Sequence, residues 1–127
     1  MLRLGDRTLA PTTATLELFH LYAEEAGWVL RIECEGDRVA LEGRVRTPAL
    51  PGPSSLVVSY VDAPRVHTLD GSHGTLSADA KPALTCTARG AGLARISGEL
   101  VLTWTPLSGD ERRAVALALD LDAALIT

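Results

Sequence analysis

The stretch from Trp28 to Arg46 constrains the fold most. Leu30, Ile32 and Cys34 alternate with Arg31, Glu33 and Glu35. Past Gly36-Asp37, Val39, Leu41 and Val45 alternate with Arg38, Glu42, Arg44 and Arg46. Successive side chains of a strand point to opposite faces, so the pattern describes two strands with one dry and one wet face, joined by a turn. A two-residue Gly36-Asp37 loop is expected to set Glu35 opposite Arg38, Ile32 opposite Leu41 and Arg31 opposite Glu42. This register matches apolar with apolar and charge with opposite charge, in pairs that contribute roughly 0.2–1 kcal/mol each.

The rest of the chain has the same β-rich texture. Thr47 to Pro53 holds three prolines and a glycine and reads as a loop. Leu56 to Val61 reads as a strand that is apolar on both faces, with Val57 and Val61 on one and Leu56, Val58 and Tyr60 on the other. A weaker strand around Arg65 to Leu69 leads into the turn Asp70-Gly71-Ser72-His73-Gly74. Thr75 to Asp79, Leu84 to Arg89 and Leu93 to Thr105 follow as short strands, separated by Lys81-Pro82 and Gly90-Ala91-Gly92. Ile96, Leu100, Leu102 and Trp104 share one parity, as do Val115, Leu117, Leu119 and Leu121, which predicts a second antiparallel hairpin through Pro106 to Asp110. Its last strand runs to about residue 122, where the alternation fades.

Residues 13–26 admit two readings. Thr15 to Phe19 alternates, which favours a strand from Ala14 to His20 followed by a loop. A helix capped by Thr12 or Thr13 would instead gather Leu16, Phe19, Ala23 and Ala26 on one face and end at Gly27. The strand is preferred. With 127 residues and 46% hydrophobic content the chain suits one domain covering residues 1–127. The expected fold is all-β, an antiparallel β-sandwich or flattened small barrel of about eight strands, with a short helix near residues 13–26 as the variant.

Charge narrows the function. Twelve basic residues against sixteen acidic ones give a net charge of -4, with no block of like charge. Neither nucleic acid nor a membrane surface is an expected partner, since both call for a basic patch. The longest apolar run, Ala114 to Leu119, falls far short of the roughly 20 residues that cross a bilayer. Charges and a glycine interrupt the first residues, Met1 to Arg7, so no secretory signal and a cytoplasmic location are expected. Phe19, Tyr22, Trp28, Tyr60 and Trp104 show no spacing suited to stacking on bases or sugars, and Trp28 and Trp104 read as core.

Candidate chemistry is sparse. His67, Asp70 and His73 are the densest set of metal donors, but their spacing fits no standard zinc site, so a polar turn is the preferred reading and no metal is expected. Cys34 and Cys86 form no ligand spacing and read as buried, reduced thiols, with a bridge between them conceivable only in an exported chain. Ser72-His73 lacks the nucleophile-elbow pattern, Arg89-Gly90-Ala91-Gly92 reads as a hairpin turn, and Glu24-Glu25 and Asp110-Glu111 read as solvated charge. No catalytic constellation and no cofactor are therefore expected.

The leading expectation is a non-enzymatic binding or assembly module acting through β-sheet surfaces and edges. A small barrel holding an apolar ligand is the alternative, suggested by small residues such as Gly43 and Gly98. A metal-dependent enzyme centred on His67, Asp70 and His73 ranks third. The expected interface is Ala114, Ala116 and Ala118, an apolar stripe on the parity that should face water. A protein partner or a second copy of the chain would cover it, in preference to a helix formed by residues 13–26.

Overall fold

The computed structural model describes residues 1–22, 25–46, 53–63, 74–78, 82–107 and 111–126. Ten strands follow one another: β1 (Leu2–Leu4), β2 (Arg7–Leu9), β3 (Pro11–Tyr22), β4 (Glu25–Cys34), β5 (Asp37–Arg46), β6 (Ser54–Asp62), β7 (Gly74–Ser77), β8 (Ala83–Gly90), β9 (Leu93–Pro106) and β10 (Arg113–Ile126). There is no helix among the described residues. The helical reading of residues 13–26 is thereby overturned, because β3 pairs antiparallel with β4 from Thr13 opposite Glu33 to Tyr22 opposite Glu25. Pairing that buries Leu16 and Trp28 completely outweighs the helical propensity of Ala23 to Ala26.

Seven strands close on themselves in the order β3-β4-β5-β6-β8-β9-β10, so the fold is a barrel and not a sandwich. Each neighbour in that ring runs antiparallel to the last. With an odd number of strands the first and last must point the same way, so the closing pair has to be parallel. It is: Ala124, Leu125 and Ile126 of β10 lie beside Thr15, Leu16 and Glu17 of β3.

The three remaining strands are attached to this ring. β1 adds to β10 with Leu2 opposite Leu119 and pairs with β2 on its other side, which places Leu2 and Leu4 in the core. β7 and β8 share the same edge of β9, β7 against Thr103–Pro106 and β8 against Leu93–Ser97. They occupy one interrupted strand position.

The two hairpins read from alternation are present, with one change of register. β4 and β5 are joined through Glu35-Gly36, not Gly36-Asp37, so Ile32 faces Val39, Leu30 faces Leu41, Glu33 faces Arg38 and Val29 faces Glu42. Gly36 takes the left-handed conformation at φ +75 in the second loop position, which costs a glycine little. Asp37 instead opens the strand, its Oδ1 accepting a hydrogen bond from the Arg38 amide at 2.8 Å. The observed register also sets Trp28 opposite Gly43, the one partner in β5 without a side chain to displace. A shift of two residues preserves parity, so Ile32 and Leu41 remain fully buried and Arg31 exposed. β9 and β10 pair over their length, Leu117 opposite Leu100 and Val115 opposite Leu102, and β10 continues to Ile126, past the expected end.

β6 explains its double-faced sequence. Leu56 and Val58 are buried, but so is Val61, while Tyr60 is exposed. Between them the register with β5 slips, Gly43 lying opposite Val58 and Glu42 opposite Tyr60. Ser59 is the extra residue of a β-bulge, which switches the inward parity.

The barrel interior is filled. Trp28, Leu30, Ile32, Leu41, Leu56, Leu84, Ile96, Leu100, Leu102 and Leu117 are all below 2% exposed. Burying each such side chain contributes roughly 1.5–3 kcal/mol. The glycines that suggested interior space do not leave any. A Cβ on Gly98 would sit 2.7 Å from Leu84 Cδ2, and one on Gly43 would run into the Val57 carbonyl.

Candidate functional site

His67, Asp70 and His73, together with the weak strand around Arg65 to Leu69, lie outside the described residues. Among the described residues no group of three or more His, Cys, Asp or Glu is placed to hold a metal ion. Glu25, the described half of one acidic pair, is bound to Arg44 at 3.4 Å. Arg89 to Gly92 is a hairpin turn, with Ala91 and Gly92 both at positive φ, as a tight two-residue loop between right-twisted strands requires.

Both cysteines are free and buried. Cys34 pairs with Asp37 at the end of β5 that lies beyond Asp62 of β6, whereas Cys86 pairs with Ser54 at the start of β6. They therefore occupy opposite ends of the barrel, too far apart for a bridge. Burial pushes the Cys34 thiol above its ordinary value of 9.0, and the carboxylates of Asp37 and Glu33 add to the effect. Burial alone pushes Cys86 up. A thiol held protonated is a poor nucleophile, so neither is placed for covalent chemistry.

The alanine stripe lies on the outer wall of the barrel. Ala114 is exposed, and Ala116 and Ala118 are half-buried. On β9 their partners are Thr103, Val101 and Glu99, and Arg3 of β1 flanks Ala118 from the other side. Val101, directly opposite Ala116, is 68% exposed, the most open aliphatic side chain within a strand among the described residues. Since Pro11–Tyr22 and Glu25–Cys34 are strands, they do not form the helical cover expected for this stripe. The β1–β2 hairpin reaches it only edge-on, where the Gly5 amide donates to the Ala116 carbonyl at 2.7 Å.

Towards the other end of β10 the same wall becomes charged. Arg95 of β9 donates through Nε to Asp120 at 2.7 Å and lies 3.5 Å from Asp122. The hydrogen bond to Asp120 leads the causes that raise the guanidinium above its ordinary value. Val101, Ala114 and Ala116 thus form an accessible apolar patch between Arg3, Glu99 and the Arg95 cluster, and Leu93 and Ile126 are exposed at the other end of the same two strands.

Two clefts that alternation did not reveal flank the bulge at Ser59. The larger, about 300 Å³, is lined by Phe19, Gly27, Trp28, Glu42, Gly43, Arg44 and Ser59. Its floor is low because Gly27 carries no side chain, and the Phe19 ring lies across the space a Cβ there would fill. An aromatic residue and a glycine eight positions apart, on either side of the loop expected after His20, were the available signal. The smaller, about 180 Å³, lies between β6 and β7 and is lined by Ser59, Tyr60, Val61, Leu76, Ser77 and Ala78. The larger cleft brings the Phe19 ring together with the polar side chains of Glu42, Arg44 and Ser59, and the smaller one offers Tyr60 beside Leu76.

No helix among the described residues is long and apolar enough to cross a membrane. No protein-family model, no curated protein and no solved structure matches this chain.

Proposed function

We propose that this protein is a non-enzymatic binding or assembly module that works through the outer wall and edges of its barrel. One observation carries the reading. The interior is filled by its own side chains, while large apolar residues stay accessible on the wall, with Val101 opposite Ala116 at the centre of a smooth patch. Contiguous apolar surface on a soluble domain marks an interaction site more often than chance, and small side chains such as Ala114, Ala116 and Ala118 let a partner backbone approach closely. The packed interior favours this reading over an apolar-ligand carrier, which needs an empty lumen. The partner is another protein or a second copy of the chain.

Sedimentation of the wild type and of Ala116→Arg tests this. A guanidinium in the middle of the patch should leave the barrel folded, because Ala116 points outward, and should abolish association through this face. An Ala116→Arg variant that associates as the wild type does removes this face from the function.

A further inference from the structure

The two tryptophans of the barrel are buried in different ways. Trp28 is fully buried, and its Nε1 donates to the carbonyls of Arg44 and Val57. Trp104, on β9, is 4% exposed, and its Nε1 is buried with no acceptor among the described residues. In the unfolded chain that N–H is bonded to water, so the fold loses a hydrogen bond there and recovers it only when water reaches the ring. What lies against the ring is β7. Leu76 is opposite Trp104, and Gly74 packs so closely that a Cβ on it would sit 2.6 Å from Cε2, the ring atom bonded to Nε1.

β7 is lightly held. It stands outside the closed ring of seven strands and pairs with β9 from Gly74 opposite Pro106 to Ser77 opposite Thr103. Pro106 has no amide to give to that ladder. No residue of β7 is fully buried, and Leu76 alone packs a half-buried apolar side chain on the core. On the flank that faces β6 the described residues form no ladder. A cleft of about 180 Å³ lies there instead, with Ser59, Tyr60 and Val61 on one side and Leu76, Ser77 and Ala78 on the other. A short strand with one ladder and little buried apolar surface belongs to the part of a fold that opens at low free energy.

We infer that β7 is a strap that lifts off β9 while the barrel stays folded, and that lifting uncovers Trp104. The orphaned indole favours the step, because its N–H gains a partner in water once β7 is away. β9 does not follow β7, since its other edge remains paired, Thr103 with Ala114 and Trp104 with Arg113 of β10. Arg113 also keeps its guanidinium over the Trp104 ring, 5.6 Å from the centre, from the strand that stays in place. The open state therefore presents an ordered indole edge beside the vacated edge of β9, and the ring of seven strands loses none of its pairings.

Exchange of the two indole N–H groups with deuterated solvent, followed by NMR, tests the strap. In the wild type the Trp104 N–H should exchange at least roughly tenfold faster than that of Trp28, at a rate that hardly responds to low denaturant, whereas Trp28 should exchange through global unfolding. Ser77 and Thr103 are directly opposed, so a Ser77→Cys, Thr103→Cys variant can bridge β7 to β9 when oxidised. The bridge should bring the Trp104 rate down towards that of Trp28, and its reduction should restore the difference. Gly74→Ala needs no bridge and probes the same step, because its methyl presses on the ring and should raise the Trp104 rate more than the Trp28 rate. Equal rates for the two indoles in the wild type overturn the strap. So does a Trp104 rate that the closed bridge leaves unchanged, or a ratio of rates that Gly74→Ala does not move.

Discussion

Trp28 and Gly43 stand opposite each other across β4 and β5, and both converge on one atom, the carbonyl oxygen of Val57. The indole Nε1 donates to it at 3.2 Å and to the Arg44 carbonyl at 3.1 Å, so a fully buried tryptophan is tied to β6, the strand that carries the bulge. A Cβ on Gly43 would collide with that same oxygen. Gly43→Ala should therefore cost at least about 2 kcal/mol, since backbone must move and two hydrogen bonds are strained. Gly27→Ala meets only the Phe19 ring, which is partly exposed and can swing aside, and should cost less than about 1 kcal/mol. Chemical denaturation of the two variants would check the contrast, and equal costs would contradict it.

The hairpin of β4 and β5 supplies a second comparison. Ile32 is fully buried against Val39, whereas Arg31 is exposed and reaches Glu17 at 3.2 Å with both side chains largely in water. Ile32→Ala should cost on the order of 2–4 kcal/mol through the cavity it leaves. Arg31→Ala should cost less than about 1, because exposed ion pairs contribute little. Urea midpoints at constant slope would measure both.

These two cases show what alternation can and cannot convey. Parity survives any slip by two, so the buried identity of Leu30, Ile32, Val39 and Leu41 was legible even though the turn was placed one residue too far along. Which residue of the turn carries the positive φ depended on fitting Trp28 against Gly43, a contact remote from the turn. The bulge at Ser59 was hidden because a parity switch looks like a strand apolar on both sides. β1 was hidden because Leu2 and Leu4 make sense only once Leu117 and Leu119 lie beside them. The alanine stripe was readable as a stripe, and its place on the outer wall follows from Val115, Leu117 and Leu119 facing in.

The buried thiols give a pH prediction with a definite sign. Cys34 and Cys86 both have folded-state pKa values raised above the ordinary 9.0, through burial first. A raised value means that the folded chain holds the proton more tightly than the unfolded one, so this contribution to stability is fully present below about pH 9 and is lost as pH climbs through the folded values. Unfolding free energy measured across that range should fall more steeply for the wild type than for a Cys34→Ala, Cys86→Ala double variant. At neutral pH a thiol reagent should modify neither cysteine in the native protein and both in guanidinium.

The parallel seam should be the weakest part of the barrel. Among the described residues β3 and β10 meet over three residue pairs, Ala124 to Ile126 against Thr15 to Glu17, whereas β9 and β10 meet over twelve. The β9–β10 hairpin is also local in sequence, so it forms without closing a long loop. The seam joins segments more than a hundred residues apart and can form only when the other six strand pairings of the ring are in place. Its one fully buried anchor in β3 is Leu16, opposite Leu125. Native-state hydrogen exchange should find amides bridging this seam opening locally, with weak dependence on denaturant. Amides of Leu100, Leu102 and Leu117 should exchange only through global unfolding. Leu16→Ala should widen that gap, lowering protection at the seam by more than it lowers protection in β9. Uniform protection around the ring would mean that the barrel opens as one unit and that the short parallel ladder is not its point of failure.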